Sequence, residues 1–369
     1  MTTTAIQRAG DAARVATVRR HDDRLKQTTL ADLLAAHMPP REPLLEGLLK
    51  TGESMMLWAA PGVGKTMASL SIALAVAGGG SWLHWPATFS RRVLIVDGEM
   101  NMHDLRDRFA ALARGAAGGD MRKAASNIAI VARQDQDPDA EFPDLGEKAW
   151  QDRILKRAQR WEAELVILDN FSTLAEVDDE NAASAMSPVL SFLLRMKAAG
   201  VATILVHHSG KSGESYRGSS KLEATFEVVA GLKHPKDAAS RHGTAFDLTF
   251  GKFRGKRGEA HAETTAWLEE DARSGSLKWD WKKSDAAILN QVVGAIRSEQ
   301  FAFDKDAAKS LGMTTSTFNR KKDRAIAERV ISREEWDACL AAARDTHGPG
   351  SPADLAEDAD DALYADAEF

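Results

Sequence analysis

The chain has 369 residues, of which 44% are hydrophobic and 28% are charged, with a formal net charge of −6. This size predicts two domains, or one large domain with appendages, around a sizeable core. No run approaches 18 apolar residues, and the N-terminus lacks the apolar segment of a signal peptide, so we expect neither a membrane-spanning helix nor secretion. The single cysteine, Cys339, excludes an internal disulfide and favours a cytoplasmic protein. The net negative charge argues against a uniformly basic, nucleic-acid-binding surface.

The N-terminal residues 1–27 are polar, with scattered arginines, and predict a flexible segment. From residue 28 the pattern becomes an alternation of apolar strands and amphipathic helices, which predicts a mostly parallel sheet flanked by helices, an α/β fold. We assign residues 28–280 to this domain. The predicted strands, in chain order, are "SMMLWAA", "RRVLIVDGE", "NIAIVA", "LVILDN" and "VATILVHHS".

After Ser220 the segments "TFEVVAGLKH", "TAFDLTFGKFRG" and "HAETTAWLEE" lack long helices between them. Antiparallel hairpins that extend the sheet are the simplest interpretation. The stretch "SGSLKWDWKKSD" is typical of a domain boundary. Residues 281–340 then predict a small helical domain, and residues 341–369 an acidic, disordered tail.

The stretch "WAAPGVGKT" follows the first of these strands and opens a helix. A loop of small residues lets backbone N–H groups converge on phosphates, and the helix N-terminus adds positive charge. Lys65 is predicted to reach the β- and γ-phosphates of ATP, and the Thr66 hydroxyl to bind Mg²⁺. The usual first glycine is replaced by Ala59, whose small methyl group we expect to be tolerated. The predicted nucleotide-binding residues are Ala60, Pro61, Gly62, Val63, Gly64, Lys65, Thr66 and Met67.

Acidic residues and histidines close three other predicted strands. Asp169 ends "LVILDN", where a carboxylate can hold the magnesium ion. Glu99, in "VLIVDGEM", is the candidate general base that polarises the attacking water, with Asp97 as a supporting residue. His207 or His208, at the end of "TILVHH", is a candidate contact to the γ-phosphate or the water. Parallel strands end at one edge of a sheet, so we expect these side chains to form a single site.

With these residues in view, the chain resembles the RecA-type ATPases over about residues 40–270. It is most similar to the RepA-type hexameric replicative helicases of plasmids and, more distantly, to the DnaB-type helicases. The motifs that carry the resemblance are the lead-in and loop "EPLLEGLLKTGESMMLWAAPGVGKT", "RRVLIVDGEM", "LVILDN", "LVHHSGKSG", "YRGSSKLEATFEVVAGL" and "FGKFRGKRGEA". Two departures are Ala59 and Glu227, the latter near a position where aspartate is more usual.

The resemblance implies a RecA-like P-loop core in a homo-oligomeric ring, usually a hexamer, with ATP at the subunit interfaces. An arginine from the neighbouring subunit would complete each site; Arg254 is the preferred candidate, beside Lys252, and Arg217 the alternative. The polar loop Ser209–Ser220 is predicted either to line a central channel, where Lys211 and Arg217 contact nucleic acid, or to form a surface turn.

The C-terminal stretch "DKDAAKSLGMTTSTFNRKKDRAIAERVI" is typical of a helix-turn-helix or winged-helix-like unit with a basic second helix. Arg320, Lys321 and Lys322 on that helix are candidate nucleic-acid contacts, and a helical protein–protein module is the alternative. From Asp345 onward the chain carries eight acidic residues and no Lys or Arg, so this tail could compete with nucleic acid for the basic helix.

Taken together, the sequence predicts an enzyme that hydrolyses ATP with Mg²⁺ as cofactor, in a ring that acts on single-stranded DNA or another nucleic acid. The most favoured function is that of a RepA-like replicative helicase. One alternative is an ATP-driven DNA-binding switch, such as a loader, recombination mediator or defence ATPase, that does not unwind. The other is a DNA-binding regulator with nucleotide as a structural ligand.

Overall fold

The computed structural model describes residues 26–38, 40–137, 139–142, 144–175, 183–210, 224–235 and 244–347. The chain divides into two compact units, residues 1–41 and residues 42–369. Within its described residues the first contains the short helix α1 (Leu30–Ala35), which the side chain of Thr29 caps by accepting a hydrogen bond from the Asp32 N–H. The second contains the sheet and all elements described below.

The described residues of the second unit form a nine-stranded sheet with the order β13-β12-β11-β10-β3-β9-β8-β6-β7. Strands β10, β3, β9, β8, β6 and β7 are parallel to one another, and β11, β12 and β13 continue the sheet as antiparallel strands. The strands are β3 (Ser54–Ala59), β6 (Val93–Asp97), β7 (Ile128–Ala132), β8 (Leu165–Asp169), β9 (Ala202–His208), β10 (Val228–Lys233), β11 (Ala245–Phe253), β12 (Thr264–Asp271) and β13 (Ser276–Lys283).

Two small hairpins lie outside this sheet: β1 (Pro43–Leu45) with β2 (Leu49–Lys50), and β4 (Ser81–Trp82) with β5 (Trp85–Pro86). The remaining helices are α2 (Lys65–Gly78), α3 (Met102–Gly115), α4 (Met121–Asn127), α5 (Lys148–Trp161), α6 (Phe171–Leu174), α7 (Ala183–Ala198), α8 (Asp285–Arg297), α9 (Asp304–Ser310), α10 (Thr315–Ala327) and α11 (Arg333–His347).

Helices cover both faces of the parallel strands, which explains why those strands are continuous apolar runs. Side chains alternate between the two faces: Leu165 and Ile167 pack with α2, α3 and α4, whereas Val166 and Leu168 pack with α5, α6 and α7. Helix α2 ends at Gly79, whose φ of 71° gives the left-handed cap that glycine adopts easily. The predicted α/β fold with a mostly parallel sheet flanked by helices is confirmed.

The stretch "SGSLKWDWKKSD", which the sequence predicts as a domain boundary, contains the edge strand β13. Leu277, Trp279 and Trp281 alternate with polar residues along it, and the Trp279 indole N–H donates to the Ser71 hydroxyl of α2 at 2.7 Å. The strand also lies close to α3, since a Cβ at Gly115 would lie 2.2 Å from the Leu277 oxygen. The sheet therefore extends to Lys283, beyond the predicted limit at residue 280.

The helices α8 to α11 share an apolar core of their own, in which Leu289, Val292, Ala307, Phe318 and Trp336 are buried. Gly312, with a φ of 65°, forms the turn between α9 and α10, and the Thr314 side chain caps α10 by accepting from the Thr317 N–H. This is the helix–turn–helix arrangement expected from the sequence. Apart from the limit at residue 280, which falls within β13, the predicted domain limits stay predictions.

Among the described helices, none combines the length and the apolar character that a membrane crossing requires.

Candidate active site

The loop between β3 and α2 has the backbone geometry that phosphate binding requires. Gly62 and Gly64 have φ values of 79° and 118°, in the left-handed region that side chains disfavour. Among the described residues other than its two chain neighbours, no atom lies within 4 Å of a Cβ built on Gly62, so these residues leave this side of the loop open. At Gly64 a Cβ would lie 2.1 Å from the Thr244 methyl carbon, so only glycine fits there.

Ala59 replaces the usual first glycine at a position where no glycine is needed. It is the last residue of β3, fully buried, and is paired with His208 of β9 on one side and Leu232 of β10 on the other. Its conformation is that of an ordinary strand, so the methyl group adds to the core without approaching the open side of the loop. This is the physical basis for the expected tolerance.

The side chain of Lys65 lies along the loop. Its ammonium group donates to the backbone oxygens of Ala59 at 3.0 Å and Ala60 at 3.1 Å. Burial lowers the pKa of Lys65, and the negative charges of Asp169 and Glu99 oppose that shift. The cation is therefore held at the mouth of the loop, between its carbonyl groups and two acids.

Asp169, at the end of β8, lies against the first turn of α2. The Ser69 hydroxyl is 3.2 Å from Asp169 Oδ2 and 3.0 Å from the backbone oxygen of Thr66. Ser69 thereby ties the two predicted magnesium ligands, Thr66 and Asp169, to one another. Sequence reasoning missed Ser69, although its position three residues after Thr66 on a helix places it on the same face.

Asp97, the last residue of β6, and Glu99, in the turn that follows, have different environments. Asp97 is buried, and its Oδ1 accepts from the N–H groups of Glu99 at 3.0 Å and Met100 at 2.7 Å, which shapes the turn. Burial raises the pKa of Asp97, against the effect of those two hydrogen bonds. Glu99 is exposed, and its Oε2 accepts from the Asn170 side-chain amide. Asn170 is a second residue that sequence reasoning missed.

The acids at this edge repel one another. Burial and the nearby Asp97 raise the pKa of Asp169 to about 7; Glu99 adds to the shift, while the Ser69 hydroxyl and Lys65 oppose it. A carboxylate with so high a pKa gains by meeting a cation or a proton. The described residues contain no cluster of three His, Cys, Asp or Glu side chains placed to hold a metal. Mg²⁺ does not need one, because it commonly uses one or two carboxylates together with phosphate oxygens.

The two histidines of β9 lie on opposite faces of the sheet. His207 is fully buried and contacts Phe171 of α6 edge-on, with ring centroids 5.0 Å apart. His208 alternates with it and shares the face of Val206, the face covered by the loop helix α2. His208 is half-buried and lies beside Ala59 in register, so of the two it is the one on the side of the loop helix α2.

Arg254 is not brought together with the other predicted residues. It follows β11, which is antiparallel to β10, so it lies at the amino-terminal edge of β3, opposite the loop. Its guanidinium is 3.3 Å from Glu227 Oε1 and donates to the Ala224 oxygen at 2.7 Å. A strand rises about 3.3 Å per residue, so the six residues of β3 separate the two edges by about 17 Å.

The basic helix α10 has internal partners for two of its three predicted cations. Lys321 is paired with Asp285 at 3.2 Å, and Lys322 with Asp304 at 2.7 Å, while Lys322 also lies over the Trp336 ring. Arg320 is exposed. The remaining predicted nucleic-acid contacts, Lys211 and Arg217, lie outside the described residues.

The fold and this edge of the sheet define the class of the protein: it is a P-loop ATPase with a RecA-like fold. The sequence model of a family described as an AAA domain matches residues 19–214, more than half of the chain. The chain belongs to this family. Among solved structures it is similar to a KaiC-like protein of the hyperthermophilic archaeon Pyrococcus horikoshii OT3, with 18% identity and a TM-score of 0.43 over 64% of this chain and 93% of that one. No curated protein matches the chain.

Proposed function

We propose that this ATPase is a ring-forming, Mg²⁺-dependent motor that acts on DNA, of the kind represented by RepA-like replicative helicases. The observation that carries the proposal is the division of the site between two edges of the sheet. Lys65, Glu99 and Asp169 meet at one edge, whereas Arg254 lies at the other. A site that needs this arginine is complete only when a second subunit supplies it.

The residues present fit ATP and magnesium. The open loop at Gly62 accommodates phosphates, and Lys65 would exchange its two carbonyl contacts for phosphate oxygens. Thr66 and Asp169 would hold Mg²⁺, positioned by Ser69, and the ion would relieve the repulsion that raises the pKa of Asp169. When bound, the ion supplies positive charge to the phosphate oxygens.

Glu99 is proposed as the base that orients the attacking water. It is exposed at the mouth of the site, and Asn170 and the turn shaped by Asp97 fix its position. His208, on the nucleotide side of β9, is proposed as the residue that contacts the γ-phosphate. His207 is proposed to support it through the buried contact with Phe171.

Arg254 is proposed as the catalytic arginine of the neighbouring site. Its side chain is 56% exposed, and its guanidinium contacts the Glu227 carboxylate and the Ala224 carbonyl among the described residues. A trans arginine of this kind stabilises charge on the transferring phosphoryl group and is worth roughly 10³–10⁵ in rate in known ATPases and GTPases.

The decisive experiment measures ATP hydrolysis with and without single-stranded DNA, together with the mass of the assembly and the unwinding of a forked duplex. We expect hydrolysis by an oligomer that DNA stimulates and that separates the strands. Hydrolysis that no nucleic acid stimulates would contradict the DNA motor. Stimulated hydrolysis without strand separation would favour the ATP-driven switch, and full activity of a monomer would contradict a trans arginine.

A further inference from the structure

Helix α5 carries a row of cations that the predicted function does not use. Arg153, Lys156, Arg157 and Arg160 follow one another at intervals of three, one and three residues, so they share one face of the helix. All four are exposed, and within the described ranges none forms an ion pair. We call these four residues the basic stripe. At 1.5 Å per residue it extends over about 10 Å.

The acid on the same helix is already engaged elsewhere. Asp152 pairs with Lys148 at 2.9 Å and with Arg195 of α7. It is therefore not available to Lys156, four residues further on. By contrast, Lys321 and Lys322 of α10 are neutralised within the chain by Asp285 and Asp304. The basic stripe is thus the better anion-binding surface of the two helices.

A groove of ≈ 720 Å³ runs beside the stripe, between α5 and the segment that links β7 to α5. We call this segment, residues 133–147, the acidic loop, because it contains six Asp or Glu and one Arg. Trp150 and Phe142 line the groove; the Arg153 guanidinium lies 4.2 Å from the Trp150 ring centroid and that of Arg133 lies 5.5 Å from the Phe142 ring centroid. Asp139 and Glu141 of the acidic loop also line the groove.

These three surfaces match three parts of a nucleotide chain. Guanidinium and ammonium groups bind phosphates, with arginine able to donate two parallel hydrogen bonds. Aromatic rings bearing a stacked arginine provide platforms for unpaired bases. Carboxylates accept hydrogen bonds from base amino groups. A duplex keeps its base faces stacked, so the aromatic wall favours a single strand.

The acidic loop is also attached to the ATP site. The Arg133 guanidinium donates to the Thr173 oxygen at 3.2 Å, and the Leu145 N–H donates to the Leu174 oxygen at 2.6 Å. Thr173 and Leu174 belong to α6, the helix that begins directly after Asn170, and Asn170 holds Glu99. Both ends of the acidic loop are therefore hydrogen-bonded to α6, the helix that follows β8.

We propose that the groove between the basic stripe and the acidic loop binds single-stranded nucleic acid, with phosphates on the stripe and bases against Trp150 and Phe142. This inference depends on the proposed function in one respect, that the protein acts on nucleic acid. It places the strand at α5 and not at the basic helix α10. The contacts to α6 connect this groove to Glu99.

The test compares two variants of the full chain that lose the same charge. One is the triple change Lys156→Gln, Arg157→Gln and Arg160→Gln on the stripe. The control is Arg106→Gln, Arg122→Gln and Lys123→Gln, on α3 and α4, the helices that cover the other face of the sheet. Binding of a fluorescein-labelled oligothymidylate is measured by anisotropy over a range of salt concentrations.

We expect the stripe variant to lose affinity about tenfold, with the slope of log K against log salt shallower by about two, because each phosphate contact contributes about 0.7 for a single strand. The control should retain the wild-type slope. Equal behaviour of the two variants would overturn the inference and leave the proposed function intact. A wild-type chain that binds no oligonucleotide would overturn the proposed function itself.

Two further measurements identify the ligand and its position. Photo-crosslinking of a 5-bromodeoxyuridine oligonucleotide should label peptides containing Trp150 or Phe142; labels confined to other segments would contradict the assignment. A synthetic peptide with the sequence of residues 351–369 tests an acidic protein segment as the occupant. If the stripe variant loses that peptide but keeps the oligonucleotide, the stripe binds protein and the inference is wrong.

Discussion

The two edges of the central sheet use their carboxylates in opposite ways. At the carboxyl edge Asp169, Asp97 and Glu99 lie close to one another and to Lys65, and the pKa of Asp169 rises to about 7. At the amino edge Glu227 accepts from Lys197, from Arg254 and from the Ser54 N–H. The first edge is electrostatically unsatisfied and suited to a ligand, whereas the second is satisfied within the chain.

The pKa of Glu227 expresses the same contrast. Burial alone would raise it, but the hydrogen bonds from Lys197 and the Ser54 N–H, with the charges of Lys197 and Arg254, outweigh burial and lower it. Glu227 and Asp169 are both buried next to a strand end. Their partners, and not their positions along the chain, separate a ligand site from a structural one.

The largest expected effect is at the amino edge. Arg254→Ala should lower the DNA-stimulated ATPase rate by roughly 10³-fold or more, since an arginine finger contributes 10³–10⁵. Arg257→Ala, three residues further on and hydrogen-bonded only to the backbone of β11 in the described structure, is the matched control.

Mixing subunits decides whether this arginine acts on its own site or on a neighbour's. Lys65→Ala and Arg254→Ala chains should each be inactive. A mixed ring contains interfaces that join an intact Lys65 to an intact Arg254, so activity should return. If the mixture stays inactive, Arg254 does not complete the site of a neighbouring subunit.

Glu99→Gln tests the carboxyl edge. We expect a loss of about 10²–10⁴ in the rate of hydrolysis, the usual contribution of a general base. Binding of a fluorescent ATP analogue should be retained, because Lys65 and the loop are unchanged. If the variant loses both ATP binding and hydrolysis, Glu99 stabilises the structure of the site and is not the general base.

Glu227→Ala should cost stability at the amino edge. Removing one member of a buried ion pair leaves Lys197 without its carboxylate partner, although it keeps the Thr225 oxygen, and leaves the Ser54 N–H without its Glu227 acceptor; we expect a loss of about 3 kcal/mol in the free energy of unfolding. Denaturant unfolding measures it, with the exposed Glu270→Ala as control. Since the pKa of Glu227 is lowered in the folded state, its stabilisation is present above pH 4.5 and should vanish as the pH falls through the folded pKa.

Asp169→Asn should change the free energy of unfolding in the opposite direction. It should abolish hydrolysis and yet raise the free energy of unfolding of the nucleotide-free chain, by about 2 kcal/mol above pH 7, because it removes a buried charge near two acids. The folded-state pKa of about 7 lies above the unfolded value of 3.8, so the gain should shrink as the pH falls from 7 towards 4. An unchanged or lower unfolding free energy at high pH would contradict the unsatisfied edge.

The sequence predicts the strand ends well, because a buried parallel strand is an uninterrupted apolar run and its last residue is visible as the first polar one. Asp97 and Asp169 were located at strand ends in this way, whereas at the end of β9 the sequence leaves His207 and His208 as alternatives. Asn170 and Ser69 were not found, since their importance arises from contacts with Glu99 and Asp169 that are distant in the chain. For the same reason the sequence cannot show that Lys321 and Lys322 are already paired.

The strand β13 was misinterpreted for a local reason. Its charged residues are typical of a linker, but its apolar residues Leu277, Trp279 and Trp281 recur at every second position, the period of a strand with one exposed face. Greater weight on this alternation would have identified it. The ion pairs of Glu227 with Lys197 and Arg254 at the amino edge follow no such periodicity, so the sequence does not predict them.

The strand β11 joins the two edges physically. Thr244, just before it, rests on Gly64 of the phosphate loop, and Arg254, just after it, is the proposed finger. Its nine residues extend over about 27 Å, with residues 245–248 paired to β12 and residues 247–253 paired to β10. In the proposed ring, β11 would therefore couple neighbouring sites. A shift of the phosphate loop around the nucleotide of one subunit would be transmitted through Thr244 and β11 to Arg254, which enters the site of the neighbouring subunit. Consecutive subunits would then hydrolyse ATP in turn.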